Sequence, residues 1–564
     1  HQPMSDLSGQ FTVVFNGELY NYLELRAELV SNGHRFKTRS DTEVLLEAYR
    51  CWGEKFIDKL NGTFAFAIYD SVKNSLFMAR DRAGEKPFFY WYSGNTFIFA
   101  SELKALMAFP SFPRKLSLDA MNAYLTYGYV PRDMCMLQGV RKLPQGHALL
   151  FDREQNRLRT WAYWALPEPA ITKNASTSEL LWEFEKLLTD SVQRQLVADV
   201  PVGVLLSGGI DSSLITAVAS RVSTKKVKTF TISFPGSKSF NEAPYAKIVA
   251  DHFGTEHTVL PAEVATVELL PQLAKQFDEP LADSSMVPTY LVSQLIRRYA
   301  TVAVGGDGGD ELFGGYLHYK WLQYQESARK LLSPAVRSII SSGAETFLPV
   351  GLRGRNYMQG VNGTLQNSFA YVNRFFDVKA RHDVFTAFGG YGPDTIARGE
   401  QYKAKLALPG DTTVQKGMAS DFMTYLPDDI LAKVDKVSML SSLEVRAPFL
   451  DYRMVEFAFS KVPDSLRVTG SKRKVLPKML AKKLLPPNLD ISRKQGFSIP
   501  LDQWMRGDWG EYMKSVLLDP ESCFNKDAVT HLFKLQQCGF SNSQRIFALT
   551  MFELWRRQYN IEIP

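Results

Sequence analysis

The stretch Val204-Leu205-Leu206-Ser207-Gly208-Gly209-Ile210-Asp211-Ser212-Ser213 constrains this chain more than any other. Val200 to Leu206 is apolar apart from Pro201 and Gly203, and its length and β-branching predict a buried parallel strand. At Ser207-Gly208-Gly209, two glycines permit a tight turn and close approach of the backbone to a ligand. Helical spacing follows, with Leu214, Ile215, Val218, Ala219 and Val222 on one face. A strand, a glycine turn and a helix N-terminus point N–H groups and the positive dipole end at one spot, where an anion can sit. Ser207, Ser212 and Ser213 add hydroxyl donors, and Asp211 adds a carboxylate able to hold a metal on that anion. A Ser/Gly-rich turn also serves as a plain helix cap, so the surroundings must decide.

The run Ser-Gly-Gly-x-Asp-Ser-Ser resembles the pyrophosphate loop (PP-loop) of the ATP pyrophosphatases, which cleave ATP between the α- and β-phosphates. It lacks the Gly-Lys-Ser/Thr ending of the kinase-type loop. The resemblance implies adenylation of a substrate oxygen, not transfer of the γ-phosphoryl group.

From Glu179 onward, helical and strand patterns alternate. A helix over Leu180 to Leu196 leads into the first strand, and strands over Val227 to Phe234 and Thr255 to Leu260 follow, with a helix over Tyr245 to Phe253 between them. A strand from Thr301 to Val304 then runs into Gly305-Gly306-Asp307-Gly308-Gly309-Asp310-Glu311. This grammar predicts a doubly wound α/β domain with ligands at the carboxyl ends of its strands. The second loop packs four glycines and three carboxylates into seven residues, too acidic for a simple phosphate cradle. Clustered acids repel unless a cation joins them, which points to Mg²⁺. Asp278-Glu279-Pro280-x-Ala282-Asp283-Ser284-Ser285 reads as a helix cap, with Asp283 and Ser284 ahead of Pro288.

A chain of 564 residues is too long for one core. Residues 1 to about 165 are strand-rich, interrupted by helical patterns at Tyr20 to Val30 and Thr42 to Trp52, which suggests a layered α+β domain. Within it stand Phe15-Asn16-Gly17-Glu18-Leu19-Tyr20-Asn21, Ser40-Asp41-Thr42-Glu43, Asn61-Gly62-Thr63-Phe64 and Ala79-Arg80-Asp81-Arg82-x-Gly84-x-Lys86-Pro87. Singly, these read as turns and helix starts. In this order and spacing they resemble the glutaminase domain of the glutamine-dependent asparagine synthetases, an N-terminal-nucleophile fold of αββα layers.

That resemblance implies that Asn16 and Gly17 form an oxyanion hole and that Glu18 and Asp41 bind the amino group of glutamine. It also implies a nucleophilic cysteine in a Cys-Gly-Ile start and an arginine ahead of His1-Gln2-Pro3-Met4, neither of which stands in this sequence. Cys51, inside the apolar helix pattern from Val44 to Trp52, reads as core. The expectation is therefore a chain missing its extreme N-terminus, without glutaminase activity as given.

The resemblance continues through Phe313-Gly314-Gly315-Tyr316, Tyr425 to Lys436, Ser442 to Asp451 and Arg493 to Pro500, and it implies that Asp278 to Ser285 lies near the adenylation site. The charges of the middle two segments read equally as helix-surface pairs. The family implies that Asp307 stabilises a β-aspartyl-AMP intermediate, at a position where many members carry glutamate. It implies ATP contacts from Leu206, Ser207, Gly208, Gly209, Asp211, Ser212, Ser213, Ile232, Gly305 and Gly306, with Asp211 and Asp310 linked to the metal. In Gly470-Ser471-Lys472-Arg473-Lys474, Lys474 aligns best as the lysine on the ATP phosphates, with Lys472 the fallback.

The organisation expected is a glutaminase domain over 1–166, a linker over 167–178 and a synthetase domain over 179–564, with a helical region from Asp519 packed on the synthetase core. The implied reaction is ATP-dependent amidation of aspartate to asparagine, with ammonia drawn from glutamine and Mg²⁺ as cofactor. The partners implied are small molecules, with no nucleic acid or membrane, and a homodimer is compatible. Three rivals stand beside it: amidation of another carboxylate, a tRNA-modifying PP-loop enzyme, and a degenerate binding protein. A net charge of +7 is small for this length and opposes the second. Cys51, Cys135, Cys523 and Cys538 form no Cys-x-x-Cys pair, which fits a reduced cytoplasmic setting without zinc. No apolar run approaches the roughly 20 residues that span a bilayer.

Overall fold

The computed structural model describes residues 1–110, 112–170, 175–233, 241–261, 266–363, 368–371, 373–385, 398–470, 472–493 and 499–564. Phe234, part of the expected linker, Ser471 and most of the Arg493 to Pro500 motif lie outside the described residues.

The strands in chain order are β1 (Met4–Ser5), β2 (Phe11–Leu19), β3 (Gly62–Asp70), β4 (Ser75–Arg80), β5 (Phe89–Ser93), β6 (Thr96–Ala100), β7 (Val140–Lys142), β8 (His147–Asp152) and β9 (Arg157–Ala162). They form a six-stranded antiparallel sheet, β1-β2-β3-β4-β8-β9, and a three-stranded sheet, β6-β5-β7. Alternation gives the larger sheet two apolar faces. Val13, Phe66, Ile68 and Phe77 pack under helices Tyr22–Ser31 and Asp41–Trp52. Ala65, Ala67, Met78 and Leu149 face Phe88, Tyr90 and Leu143 of the smaller sheet. Phe89 and Val140 on that sheet's far side pack against helices Leu103–Leu106 and Leu118–Tyr127. Four layers result, helix–sheet–sheet–helix, as expected.

Five further strands, β10 (Val202–Leu205), β11 (Lys228–Ser233), β12 (Glu256–Pro261), β13 (Val302–Val304) and β14 (Glu444–Arg446), form an all-parallel sheet ordered β12-β11-β10-β13-β14. The fifth strand corrects the reading of Ser442 to Asp451 as helix surface: a short strand at a sheet edge leaves too little periodicity to detect. The first strand is shorter than Val200 to Leu206 implied, because Val200 is 41% exposed, outside the core. Helices Thr177–Gln195, Ile210–Val222 and Ala243–Phe253 cover Val204 and Val304 on one face. Helix Met286–Ile296 covers Phe230, Ile232 and Ala303 on the other. The chain runs outward from β10 to β12 and then returns to β13 and β14, so the order reverses between β10 and β13. Open α/β sheets bind ligands at that reversal, where loops diverge and leave a crevice.

Helix Ser543–Tyr559 does more than pack on the synthetase core. It shares a core with Leu116, Tyr124 and Leu137 of the first half and Phe277, Leu281 and Met286 of the second. Tyr124 Oη donates to Ala548 O at 2.7 Å and Trp555 Nε1 to Asp278 O at 2.9 Å. Phe184, fully buried, lies 4.8 Å from Phe313 and stacks on Phe457, tying the first helix of the α/β half to the segment after β13. Phe184→Ala is expected to lower unfolding free energy by about 3–5 kcal/mol, measured by urea denaturation, because so enclosed a site cannot collapse around the void.

Candidate functional site

Both glycine-rich loops leave the sheet at the reversal. Leu206 N donates to Phe230 O at 2.9 Å, and the chain then turns through Gly208 at φ +72°, where a Cβ would stand 2.5 Å from that of Tyr245. Ser207 Oγ lies 2.9 Å from Ser212 Oγ and accepts from Gly209 N at 3.3 Å, which sets the loop's curvature. Gly209 begins helix Ile210–Val222 without a side-chain cap, so the first turn's N–H groups point outward from the loop. The other loop turns at Gly308, φ +89°, into the short helix Gly309–Phe313. A Cβ on Gly309 would lie 2.8 Å from Asp211 Cγ, so only glycine lets the two loops approach this closely.

Lys474 joins them. It caps helix Val475–Leu484 in the left-handed conformation, φ +52°, at the end of the hairpin Val468–Thr469/Lys472–Arg473. Its Nζ lies 2.7 Å from Asp310 Oδ1 and contacts Asp211 Oδ2. Burial opposes its charge, but these two carboxylates outweigh burial and hold its pKa above the ordinary value. Lys472 is exposed on the hairpin, so Lys474 is the lysine at this site.

A cavity of about 860 Å³ opens between the loops. Leu206, Ser207, Gly209, Asp211, Ser212, Ile232, Gly306, Asp307, Asp310 and Lys474 line it. Gly208, Ser213 and Gly305 do not. Ser213 is fully buried behind the loop, Gly208 turns toward Tyr245, and Gly305 N is taken by Arg446 O at 2.8 Å. Burial raises the pKa of Asp307; Lys433 opposes this and Asp211 adds to it. Asp211, Asp310 and the Ser207 and Ser212 hydroxyls are hard oxygen donors of the kind Mg²⁺ takes. Among the described residues no group of three or more His, Cys, Asp or Glu is arranged to hold an ion alone. The donor set therefore suits an ion shared with a phosphate.

Further lining residues stand in the quoted motifs without a role assigned to each from sequence. Lys433 Nζ lies 2.6 Å from Asp283, and Glu311 accepts from Tyr316 Oη at 2.5 Å. Asp283 accepts from Ser285 N, but the helix behind it has no side-chain cap, so the cap reading gives way to an ion pair facing the cavity. Asp278 and Glu279 point elsewhere, to Lys436 at 2.6 Å and Lys142 at 3.1 Å. The signal for Lys433 lay in the unusual charge density of Asp428 to Lys436, which a helix surface explains equally well.

In the four-layer half, Asn16 Nδ2 donates to Ser101 Oγ at 3.2 Å. Gly17 faces Phe64 across β2–β3, and a Cβ there would strike the Thr63 carbonyl. Asp41 accepts from Leu19 N at 3.1 Å and from Thr42 N at 2.7 Å, so it holds β2 while starting its own helix. Burial, then the Asp41 charge, push Glu18 up to about 7, with Arg446 Nη2 opposing from 3.6 Å. Two carboxyls raised in this way suit a cationic ligand. Cys51 is half-buried against the helix–sheet core and remote in role from these groups.

Burial, then Asp310, also raise Glu311 to about 7. The folded state thus holds that proton more tightly than the unfolded chain does, and this stabilisation is complete below pH 4.5 and lost as pH rises through 7. Glu311→Gln, which cannot ionise, is expected to gain stability relative to the parent between pH 5 and 8. Paired urea titrations across that range check it; parallel curves would exclude the buried carboxyl.

Residues 183–557 match the family model described as asparagine synthase, and residues 1–164 match the one described as glutamine amidotransferase domain. The second match carries Asn16, Gly17, Glu18 and Asp41, and it overturns the expectation that glutaminase activity is lacking. The chain is 31% identical to asparagine synthetase (glutamine-hydrolyzing) 1 of Bacillus subtilis, over 100% of this chain and 87% of that protein. It is 28% identical to asparagine synthetase (glutamine-hydrolyzing) 3 of the same species, over 98% of this chain and 88% of that one. Amidase chry2 of Gibberella zeae is also 28% identical, over 83% of this chain and 73% of that protein. With its two loops held by one lysine at the sheet reversal and both family models matched in order, this chain belongs to the asparagine synthase family.

Proposed function

We propose that this chain converts aspartate to asparagine, driven by cleavage of ATP to AMP and pyrophosphate, with glutamine as the ammonia donor. One observation carries the reading: Lys474 is held by Asp211 beside the serine-glycine loop and by Asp310 in the acidic loop, so both loops serve one cavity.

A β-carboxylate oxygen of aspartate attacks the α-phosphorus of ATP, and the bond from that phosphorus to the pyrophosphate breaks. Ser207, Ser212 and the N–H groups opening helix Ile210–Val222 receive the leaving pyrophosphate. Lys474, permanently charged, stabilises the charge that grows on it. Leu206 and Ile232 supply apolar surface for the nucleotide. Asp211 and Asp310 would hold Mg²⁺ on the phosphates, which neutralises part of their charge. Asp307 faces the acyl-adenylate, where ammonia adds to the β-carbonyl carbon and AMP departs with the ester oxygen. The proton shed by the nitrogen has two nearby acceptors, Asp307 and Glu311, both tuned upward by burial.

In the first half, the Asn16 amide and the Gly17 N–H are placed to stabilise the oxyanion formed when the thiolate that the family resemblance implies adds to the side-chain amide carbon of glutamine and expels ammonia, and Glu18 with Asp41 take the α-ammonium of that glutamine. Burial and the Asp81 charge push Glu85, on the segment after β4, well above its ordinary value.

Aspartate- and ammonia-dependent pyrophosphate release tests the reading directly; release with another carboxylic acid but not aspartate would overturn it. Lys474→Ala is expected to lower that kcat by about 10²–10³-fold, the cost of removing one preorganised charge partner. Asp41→Asn is expected to weaken glutamine binding about tenfold or more in calorimetric titration while leaving ammonia-dependent synthesis unchanged, as loss of one charged hydrogen bond would.

A further inference from the structure

A second cavity, of about 660 Å³, lies away from both sites, where β5, β7 and the β8–β9 hairpin face helix Arg398–Ala404. Its size falls in the range of small-molecule pockets. Arg132, Arg141 and Lys405 line it, against the single carboxylate of Asp133. That carboxylate is already engaged, accepting from Tyr402 Oη at 3.1 Å and lying 3.8 Å from Arg141 Nη1. Among the described residues neither Arg132 nor Lys405 has a carboxylate partner. His147 adds a polar edge: its Nδ1 lies 2.9 Å from Gln145 O, and burial lowers its pKa.

Arg132 is itself held in an unusual way. It adopts φ +52°, a conformation costly for a side chain bearing a Cβ, and its N–H donates to Asp428 Oδ2 at 2.6 Å. The bond from the backbone N–H to Asp428 holds this strained backbone, and Arg132 lines the same cavity as Lys405. Tyr90, Tyr92 and Tyr402 supply aromatic walls. A cavity of ligand size, with an excess of cations over carboxylates and aromatic sides, suits a negatively charged guest.

We propose that this interdomain cavity binds a small, multiply charged anion, a polycarboxylate or a phosphate, through Arg132, Lys405 and Arg141. The guest lies between the two halves of the chain, with no part in the reaction at Asp307.

Calorimetric titration of the full chain with citrate and, separately, inorganic phosphate tests this and distinguishes the two chemistries. Saturable binding of either probe is expected, weakened about tenfold or more in Arg132→Gln and in Lys405→Gln, as loss of a charged hydrogen bond predicts. ATP affinity should be unchanged in both, since the serine-glycine loop is untouched. Thr160→Trp, which fills the cavity from β9 and removes no charge, should abolish the same binding and covers the case in which a charge variant fails to fold. Absence of saturable binding, or binding equal in the parent and the Thr160→Trp chain, would overturn the proposal.

Discussion

Everything at the large cavity depends on one buried ammonium. Asp211, Asp307, Asp310 and Glu311 converge from two loops, and like charges brought this close into a protein interior repel strongly. Lys474 is what lets them converge. It is delivered by a hairpin and a left-handed residue, a combination that turns the side chain back into the sheet reversal before helix Val475–Leu484 starts. Gly315 clears its path: a Cβ there would overlap both Asp310 and the Lys474 side chain, and Gly315 O accepts from Arg473 Nη1 at 2.7 Å. The lysine is thus held in place for a ligand's charge by the same carboxylates that a metal would share.

The two halves meet through a second set of buried charges. Lys86 pairs with Asp435 at 2.6 Å, Lys436 with Glu102 at 3.2 Å, and Lys142 lies 3.1 Å from Glu279 and 3.3 Å from Asp428. Asn61 Nδ2 donates to Asp451 Oδ2 at 3.0 Å. Such pairs contribute little net stability after desolvation, but an unmatched partner would be expensive, so they fix how the halves are set against each other. Arg446 carries this furthest. Its carbonyl anchors Gly305 at the start of the acidic loop, and its guanidinium reaches Glu18 in the other half. One residue of an edge strand therefore touches the supports of both sites.

Both glycine-rich loops, the strand before each and the four-layer character of the first half are legible in the sequence, because glycines at fixed offsets and period-two alternation are local signals. The resemblance already ranks Lys474 ahead of Lys472, but the reason is not legible, since two basic residues on one hairpin differ only in which lies at the left-handed position. Nor is β14, whose three residues leave no period to read and whose strand identity comes wholly from pairing with β13. Helix Ser543–Tyr559 shows its apolar face plainly, yet nothing local says that this face spans two halves. Gly208, Ser213 and Gly305 illustrate a different limit. The motif names them together with their neighbours, but turn geometry sets them behind the residues that line the cavity.

A second lysine of the cavity helps to explain why Asp307 is left with a raised pKa. Lys433 could neutralise it, but its Nζ is committed to Asp283, whose carboxyl it holds low against burial. Asp429 lies beside the same pair, and burial with the Asp283 charge pushes it well above its ordinary value. The trio therefore holds one anion, one cation and one neutral acid. Such separation of neighbouring carboxyls arises when one cation cannot serve two anions in a low-dielectric site. Asp429 belongs to the π-helix Asp421–Leu431, with Pro427 inside it, which turns Tyr425 and Asp429 to the cavity and Asp428 to Lys142. A wider helical turn there decides which carboxyl meets which lysine, and by that route how readily Asp307 accepts a proton.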